Sequence, residues 1–181
     1  MKAFDLDGVL ADFSPKGLEN RVNHQLMGDL QQRGVREIAI CTNQGGLCFG
    51  VLGYTRRDGC EYPTPQRFDM RLAVVDAALS MYGISVCAVR VSCWHKAAET
   101  QPEVAAAVQA AARQVRMCLA SRNRQFHSDI DWRVYTTAAA RKPQPLMLRS
   151  VGATEYWGDS DEDEGAAIAA GIPFVRVARF Y

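Results

Sequence analysis

The sequence predicts an α/β fold: a three-layer sandwich around a mostly parallel sheet. Three observations carry that expectation. Short apolar runs of strand length alternate with segments whose apolar residues recur at helical spacing. One run, residues 84–91 (ISVCAVRV), is apolar throughout except for Ser85 and Arg90, as a strand covered on both faces must be. Three polar clusters, DLDG, TNQGG and GDSDED, each follow a strand-like run, and parallel sheets place their sites at the carboxyl ends of strands.

The elements follow in order. Residues 2–6 (KAFDL) read as a strand entering Asp7-Gly8. Residues 20–33 read as a helix, with Val22, Leu26 and Leu30 on one face and Gly34 where a C-cap belongs. Residues 37–41 (EIAIC) are the next strand, and TNQGG follows. Residues 47–66 read as a long irregular loop, rich in Gly and Pro, of a length that often carries function. A helix over 67–82 aligns Phe68, Leu72, Val75 and Leu79 and ends at Gly83. The strand 84–91 precedes a helix over 102–120, with Pro102 in its first turn and Val104, Val108, Ala111, Val115 and Cys118 as its stripe. WRVYTT (132–137) reads either as a short strand or as part of a cap. Residues 144–151 read as helical, YWGDS (156–160) as a strand end, 162–170 as an alanine-rich helix and 173–177 as the last strand.

Composition sets the outer bounds. A chain of 181 residues suits a single domain over 1–181. With 48% hydrophobic and 23% charged residues it is globular rather than disordered. A formal net charge of +1 neither demands nor excludes a nucleic-acid partner. No apolar run is long enough to cross a bilayer, and a strand beginning at once leaves no room for a signal peptide; no membrane partner and a cytoplasmic location are expected. The six cysteines are scattered through a chain able to form its own core, which favours reduced thiols over a disulfide scaffold.

The clusters carry the chemistry. Asp5 and Asp7 alternate at a strand end, so both carboxylates face one small site, and Gly8 lets the backbone turn away. Asp159, Ser160, Asp161, Glu162, Asp163 and Glu164 form a second acidic group. As a helix start it needs no ligand, because Ser caps and acids favour the first turn. Two acidic groups converging on one site repel unless a cation is present, and carboxylate oxygens suit Mg²⁺. Thr42 offers a hydroxyl ahead of glycine-permissive turns whose amides cradle phosphate; a plain β–α turn uses the same residues. Lys142, alone, reads as a solvated surface residue. Beside these clusters it reads as a holder of a phosphoryl oxygen.

Taken in order, D5-L6-D7-G8-V9, T42-N43-Q44-G45-G46, K142-P143 and G158-D159-S160-D161-E162-D163 resemble the four motifs of the haloacid dehalogenase-like phosphatase superfamily. The resemblance spans the chain from its first strand to its last. It implies a Rossmann-like sheet and a phosphomonoester hydrolase working through a phospho-aspartate. By that resemblance Asp5 is the nucleophile and Asp7 the general acid. Thr42 and Asn43 bind phosphate, and Lys142 stabilises the transferring group. Mg²⁺ is held by Asp5, Asp7 (through its carbonyl), Asp159 and Asp163. TNQGG with a long following loop looks like the branch of histidinol-phosphate, heptose-bisphosphate and polynucleotide 3′-phosphatases, whose members carry a minimal cap. The substrate class is then a phosphorylated small molecule or a nucleic-acid phosphate end.

Further features stay open. Some members of that branch hold structural zinc, and C93-W94-H95 resembles the start of such a loop. The closing Cys-x-Cys is absent, and Cys93, His95, Cys118 and His127 form a set only by distant pairing, so buried cysteine and surface histidine are preferred. Residues 96–140 are either a small cap-like insertion or the ordinary sheet helix with a loop. Arg56 and Arg57 are candidates to meet a second phosphate or a nucleic-acid backbone, against surface solubility. Tyr54 and Tyr62 either stack on a substrate ring or pin their loop; Trp94 and Trp132 receive no role. Two other classes compete: a phosphotransferase to an acceptor other than water, and a non-catalytic interaction module on this fold.

Overall fold

The computed structural model describes residues 1–13, 20–121 and 135–179. Five strands form the central sheet: β1 (Lys2–Phe4), β4 (Glu37–Asn43), β5 (Ser85–Ser92), β6 (Glu155–Gly158) and β7 (Phe174–Arg176). Between the first two, β2 (Ala11–Phe13) and β3 (Asn20–Val22) make an antiparallel hairpin. The helices are α1 (His24–Gln32), α2 (Leu47–Val51), α3 (Pro65–Met81), α4 (Pro102–Ser121), α5 (Leu146–Ser150) and α6 (Asp161–Ala170).

The sheet order is β5-β4-β1-β6-β7, and every pair is parallel. The chain works outward from β1 to β5, then crosses back to build β6 and β7 on the other side. The reversal at β1 opens a crevice at the carboxyl ends of the strands, the usual place for a ligand in such sheets.

Alternation along the strands makes two cores. Phe4, Ile38, Ile40, Val86 and Trp157 face one side, packed with Leu26, Leu30, Phe68, Val75, Val104 and Val108 from α1, α3 and α4. Ala3, Ala39, Cys41, Ala88 and Tyr156 face the other, packed with Met147, Leu148, Ala166 and Ala167 from α5 and α6. The small side chains of that second face let the alanine-rich α6 approach the sheet closely, and Tyr156 fills the space between. The result is the three-layer sandwich that the alternation predicts.

Local capping sets the element ends, and two expectations need correction. Residues 20–22 are a strand, not the start of a helix. Asn23 is the cap: its side chain accepts from Leu26 N at 3.1 Å while its amide donates to Val9 O at 2.9 Å, so the helix begins after it. The stretch 47–66 is not irregular throughout, because Leu47–Val51 form a short helix. Thr64 caps α3 with Pro65 in its first turn, two residues ahead of the expected start.

A 3₁₀ turn (Lys96–Glu99) leads into α4, which packs against α2 and α3 in the first core layer. Of the segment 132–137, Trp132 lies outside the described residues, as does His127, while Tyr135 and Thr136 are buried. No helix among the described residues is long and apolar enough to cross a membrane. Cys41, Cys48, Cys60, Cys87 and Cys93 are free thiols.

Candidate active site

β1 ends at Phe4, and the alternation carries Asp5 back to the face of Ala3, Cys41 and Tyr156. It is buried there, with its amide on Trp157 O at 2.9 Å. The chain then turns. Leu10 N and Ala11 N both donate to Leu6 O at 3.1 Å, and Gly8, at φ 81°, donates to Ala11 O at 2.8 Å. Gly8 serves a second purpose as well: a Cβ there would lie 2.5 Å from Asp159 Oδ2. Only glycine lets the second acidic cluster close on the first.

Lys142 is the hub. It is 3% exposed, and its Nζ lies 2.9 Å from Asp5 Oδ1, 2.5 Å from Asp163 Oδ1 and 3.0 Å from the Tyr156 hydroxyl. An ammonium has three hydrogens and here three neighbours. Its backbone is fixed by Asn43, whose Oδ1 accepts from Lys142 N at 3.0 Å and whose amide donates to Glu162 Oε2 at 3.1 Å. The Tyr156 hydroxyl also lies 2.9 Å from Asp163 Oδ1 and 3.0 Å from Cys41 O.

Asp163 joins a helix cap to this hub. Ser160 and Asp163 form a capping box: Asp163 Oδ2 accepts from Ser160 N at 3.1 Å and from Ser160 Oγ at 2.6 Å, and Asp163 N returns a bond to Ser160 Oγ at 3.2 Å. One carboxylate oxygen starts α6 and the other holds Lys142. The cap and the acidic cluster are one device, so the two sequence readings of GDSDED are compatible.

Oxygens of Asp5, Asp159 and Asp163 all lie within 4.8 Å of one another. Burial raises the Asp5 carboxyl from 3.8 to about 6 against the pull of Lys142. Burial, aided by Asp163, also raises Asp159, while Arg179 at 3.3 Å opposes. Burial alone would raise Asp163 too, but Lys142 and its hydrogen bonds hold it below the usual range. Lys142 in turn is pushed up to about 12: burial disfavours its charge, and Asp5 and Asp163 more than restore it. Two carboxylates thus share one buried lysine, Asp5 Oδ1 in ion-pair contact at 2.9 Å and Asp163 Oδ1 at 2.5 Å, while Asp159 pairs with Arg179. A hard divalent cation fits this donor set.

Asp7 is not in that trio. Its Oδ2 accepts from Gln44 Nε2 at 2.6 Å, and the same amide reaches Thr42 Oγ1 at 3.1 Å. Burial raises the Asp7 carboxyl, opposed by Gln44 and then by Arg71 and Lys142. Thr42 is buried at the end of β4, and Gln44 N donates to Ser92 O at 2.7 Å.

The structure therefore brings Asp5, Lys142, Asp159 and Asp163 together, ties Asp7 to Thr42 through Gln44, and uses the Asn43 side chain to clamp Lys142. Arg56 and Arg57 are exposed in a tight turn, where Arg56 Nε pairs with Asp58 at 3.6 Å and Arg56 N with Cys60 O at 2.7 Å. Tyr54 and Tyr62 both pack on Phe49, at 6.0 and 5.0 Å between centroids, and so pin the loop.

Sequence reasoning missed Gln44, Tyr156, Arg71 and Arg179. Two had a signal. Gln44 stands two residues after Thr42, and a tyrosine inside a central strand needs a partner for its hydroxyl. Arg71 and Arg179 had none, because packing alone brings α3 and the last residues to the site.

No protein-family model matches the chain, and no curated protein matches it. Among solved structures it superposes on D,D-heptose 1,7-bisphosphate phosphatase from B. bronchiseptica, complexed with magnesium and phosphate, with a TM-score of 0.53 and 20% identity over 96% of this chain and 79% of that one. The two share a fold, and the neighbour belongs to the branch that the motifs resemble.

Proposed function

We propose that this chain is a Mg²⁺-dependent phosphomonoester hydrolase that works through a phospho-aspartate on Asp5. The observation that carries this reading is the hub: Lys142 Nζ between Asp5 and Asp163, with Asp159 completing a trio of oxygens within 4.8 Å. The solved neighbour's complex with magnesium and phosphate supports the same ligand classes.

An Asp5 oxygen attacks phosphorus while the bond to the leaving oxygen breaks, and Asp7 gives that oxygen its proton. Lys142 offsets charge on the transferring group, from a position fixed by Asn43 and Asp163. Thr42 and the amides after it hold phosphoryl oxygens, and Gln44 keeps Thr42 and Asp7 in one register. Water then attacks phosphorus, Asp7 takes its proton, and the bond from phosphorus to the Asp5 oxygen breaks, releasing inorganic phosphate and the Asp5 carboxylate. Asp5, Asp159, Asp163 and the Asp7 carbonyl would hold Mg²⁺, which when bound supplies positive charge for the phosphoryl oxygens.

The test is a panel of phosphomonoesters with Mg²⁺, comprising sugar phosphates, histidinol phosphate, nucleotides and a 3′-phosphorylated oligonucleotide, with Asp5→Asn as control. Turnover that vanishes in the control supports the reading. Turnover that survives unchanged in Asp5→Asn overturns the role of Asp5, and folded, Mg²⁺-bound protein inert on every member overturns hydrolysis of these classes.

A further inference from the structure

One buried hydroxyl at the hub has no part in the scheme above. Tyr156 stands on β6 opposite Ala3 of β1, on the face that Cys41 of β4 also lines. Because alanine is small, the phenol reaches across β1, and its hydroxyl lies 3.0 Å from the Cys41 carbonyl. Tyr156 is 0% exposed, and Lys142 and Asp163 are buried with it, so the hydroxyl finds its partners within the protein. A phenol has one hydrogen to give and lone pairs to receive. Cys41 O and, at 2.9 Å, Asp163 Oδ1 are acceptors for that hydrogen. The Lys142 ammonium at 3.0 Å can only donate, so the hydroxyl oxygen accepts from it.

The three neighbours of Lys142 Nζ are not equal. Asp5 and Asp163 are carboxylates, and bonds to a charged acceptor are roughly twice as strong as bonds to a neutral one. In the hydrolase reading, on which this rests, Lys142 also meets the transferring group. An ammonium with three hydrogens cannot add a fourth acceptor, so one bond must be given up, and the neutral one costs least. We propose that Tyr156 is a positioning residue for Lys142: its hydroxyl holds the third ammonium hydrogen and yields it to a phosphoryl oxygen, while Asp5 and Asp163 keep the other two. The hydroxyl hydrogen stays with Cys41 O or Asp163 Oδ1 throughout, so the phenol remains satisfied after the hand-over.

Deleting the hydroxyl leaves the third ammonium hydrogen without a partner before phosphate binds and removes nothing that Lys142 uses afterwards. Tyr156→Phe, which keeps the ring, should therefore bind inorganic phosphate about three- to tenfold more tightly than the wild type, in calorimetric titrations with Mg²⁺ present. KM for the best substrate should fall by a similar factor without a rise in kcat, because bound substrate and transition state regain the bond alike. A merely structural hydroxyl would leave phosphate binding unchanged or weaker in Tyr156→Phe, which overturns the proposal. Phe174 packs on the Tyr156 ring at 6.4 Å between centroids, so Phe174→Leu is the packing control. Its phosphate affinity should match the wild type, and an equal gain there overturns the proposal as well. Where Tyr156→Phe fails to fold, wild-type infrared difference spectra on adding phosphate carry the test. A tyrosine C–O stretch should shift as its hydroxyl stops accepting, and an unmoved band overturns the hand-over. Phosphate titration needs no turnover. Tighter binding in Tyr156→Phe with no turnover on the panel would sink the hydrolase reading and keep the hand-over. Turnover with unchanged or weaker phosphate binding would sink the hand-over alone.

Discussion

Asp5 is a carboxylate that the fold holds under strain of charge. Its folded value near 6 lies above the ordinary 3.8, so the folded state binds its proton more tightly than the unfolded state does. The stability this contributes is fully present below about pH 4 and is lost as pH rises through about 6. The displacement corresponds to on the order of 3 kcal/mol. Asp5→Asn should therefore abolish turnover and yet stabilise the metal-free protein at about pH 8, by on the order of 1–3 kcal/mol. Urea unfolding in chelator at about pH 8 and about pH 5 checks this, and the gain should shrink at the lower pH. Lys142 behaves oppositely. Lys142→Ala leaves Asp163, 0% exposed, beside Asp5 with no buried cation. Loss of activity with destabilisation of about 3–5 kcal/mol is expected in the same unfolding measurement.

At the scale of elements, α6 starts on a side chain that also serves the site. Ser160→Ala removes the hydroxyl that bonds both Asp163 Oδ2 and Asp163 N. It should cost about 1 kcal/mol of stability as a lost cap. It should also lower kcat, since the Asp163 carboxylate gains freedom to leave Lys142. A threonine at the same position should restore both, and thermal melts alongside kinetics separate the two effects. The turn after β1 has less latitude. Gly8→Ala meets a positive φ and a contact of 2.5 Å with Asp159, and nearby backbone must shift. Activity should fall by more than about tenfold even where the melt moves only slightly, because a small displacement of aligned groups is expensive in rate.

For the molecule as a whole, the crevice at the sheet's reversal point collects negative charge from the end of β1 and from the segment after β6. Mg²⁺ should raise the unfolding temperature through preferential binding to the folded state. The increment should be larger at about pH 8 than at about pH 5, because protons compete for Asp5 and Asp159, both raised by burial. A chelator should reverse it and Asp159→Asn should remove most of it. An equal increment in wild type and Asp159→Asn would overturn Asp159 as a ligand.

Much of this was legible in the chain because it is local. Alternation along β1 and β4 separates Phe4, Ile38 and Ile40 from Ala3, Ala39 and Cys41, and the same period of two sets Asp5 on the face of Tyr156. Strand-end clusters in an alternating α/β pattern converge whatever the details of packing, so Asp5, Asp159 and Asp163 could be gathered from their places in the chain, whereas Lys142, between a 3₁₀ turn and α5, drew its role from the company of those clusters and from the family resemblance. Other features depend on what lies across space. Asn23 beginning α1 needs the Val9 carbonyl, Asn43 needs the Lys142 backbone, and Gly8 needs the approach of Asp159. By itself the sequence determined the periodicities, the order of the strand-end clusters and the chemistry available there. The tertiary structure alone decided which partner each polar atom found, because a hydrogen bond or ion pair across 99 residues, such as Asn43 with Lys142, is set by packing and leaves no periodic mark in the chain.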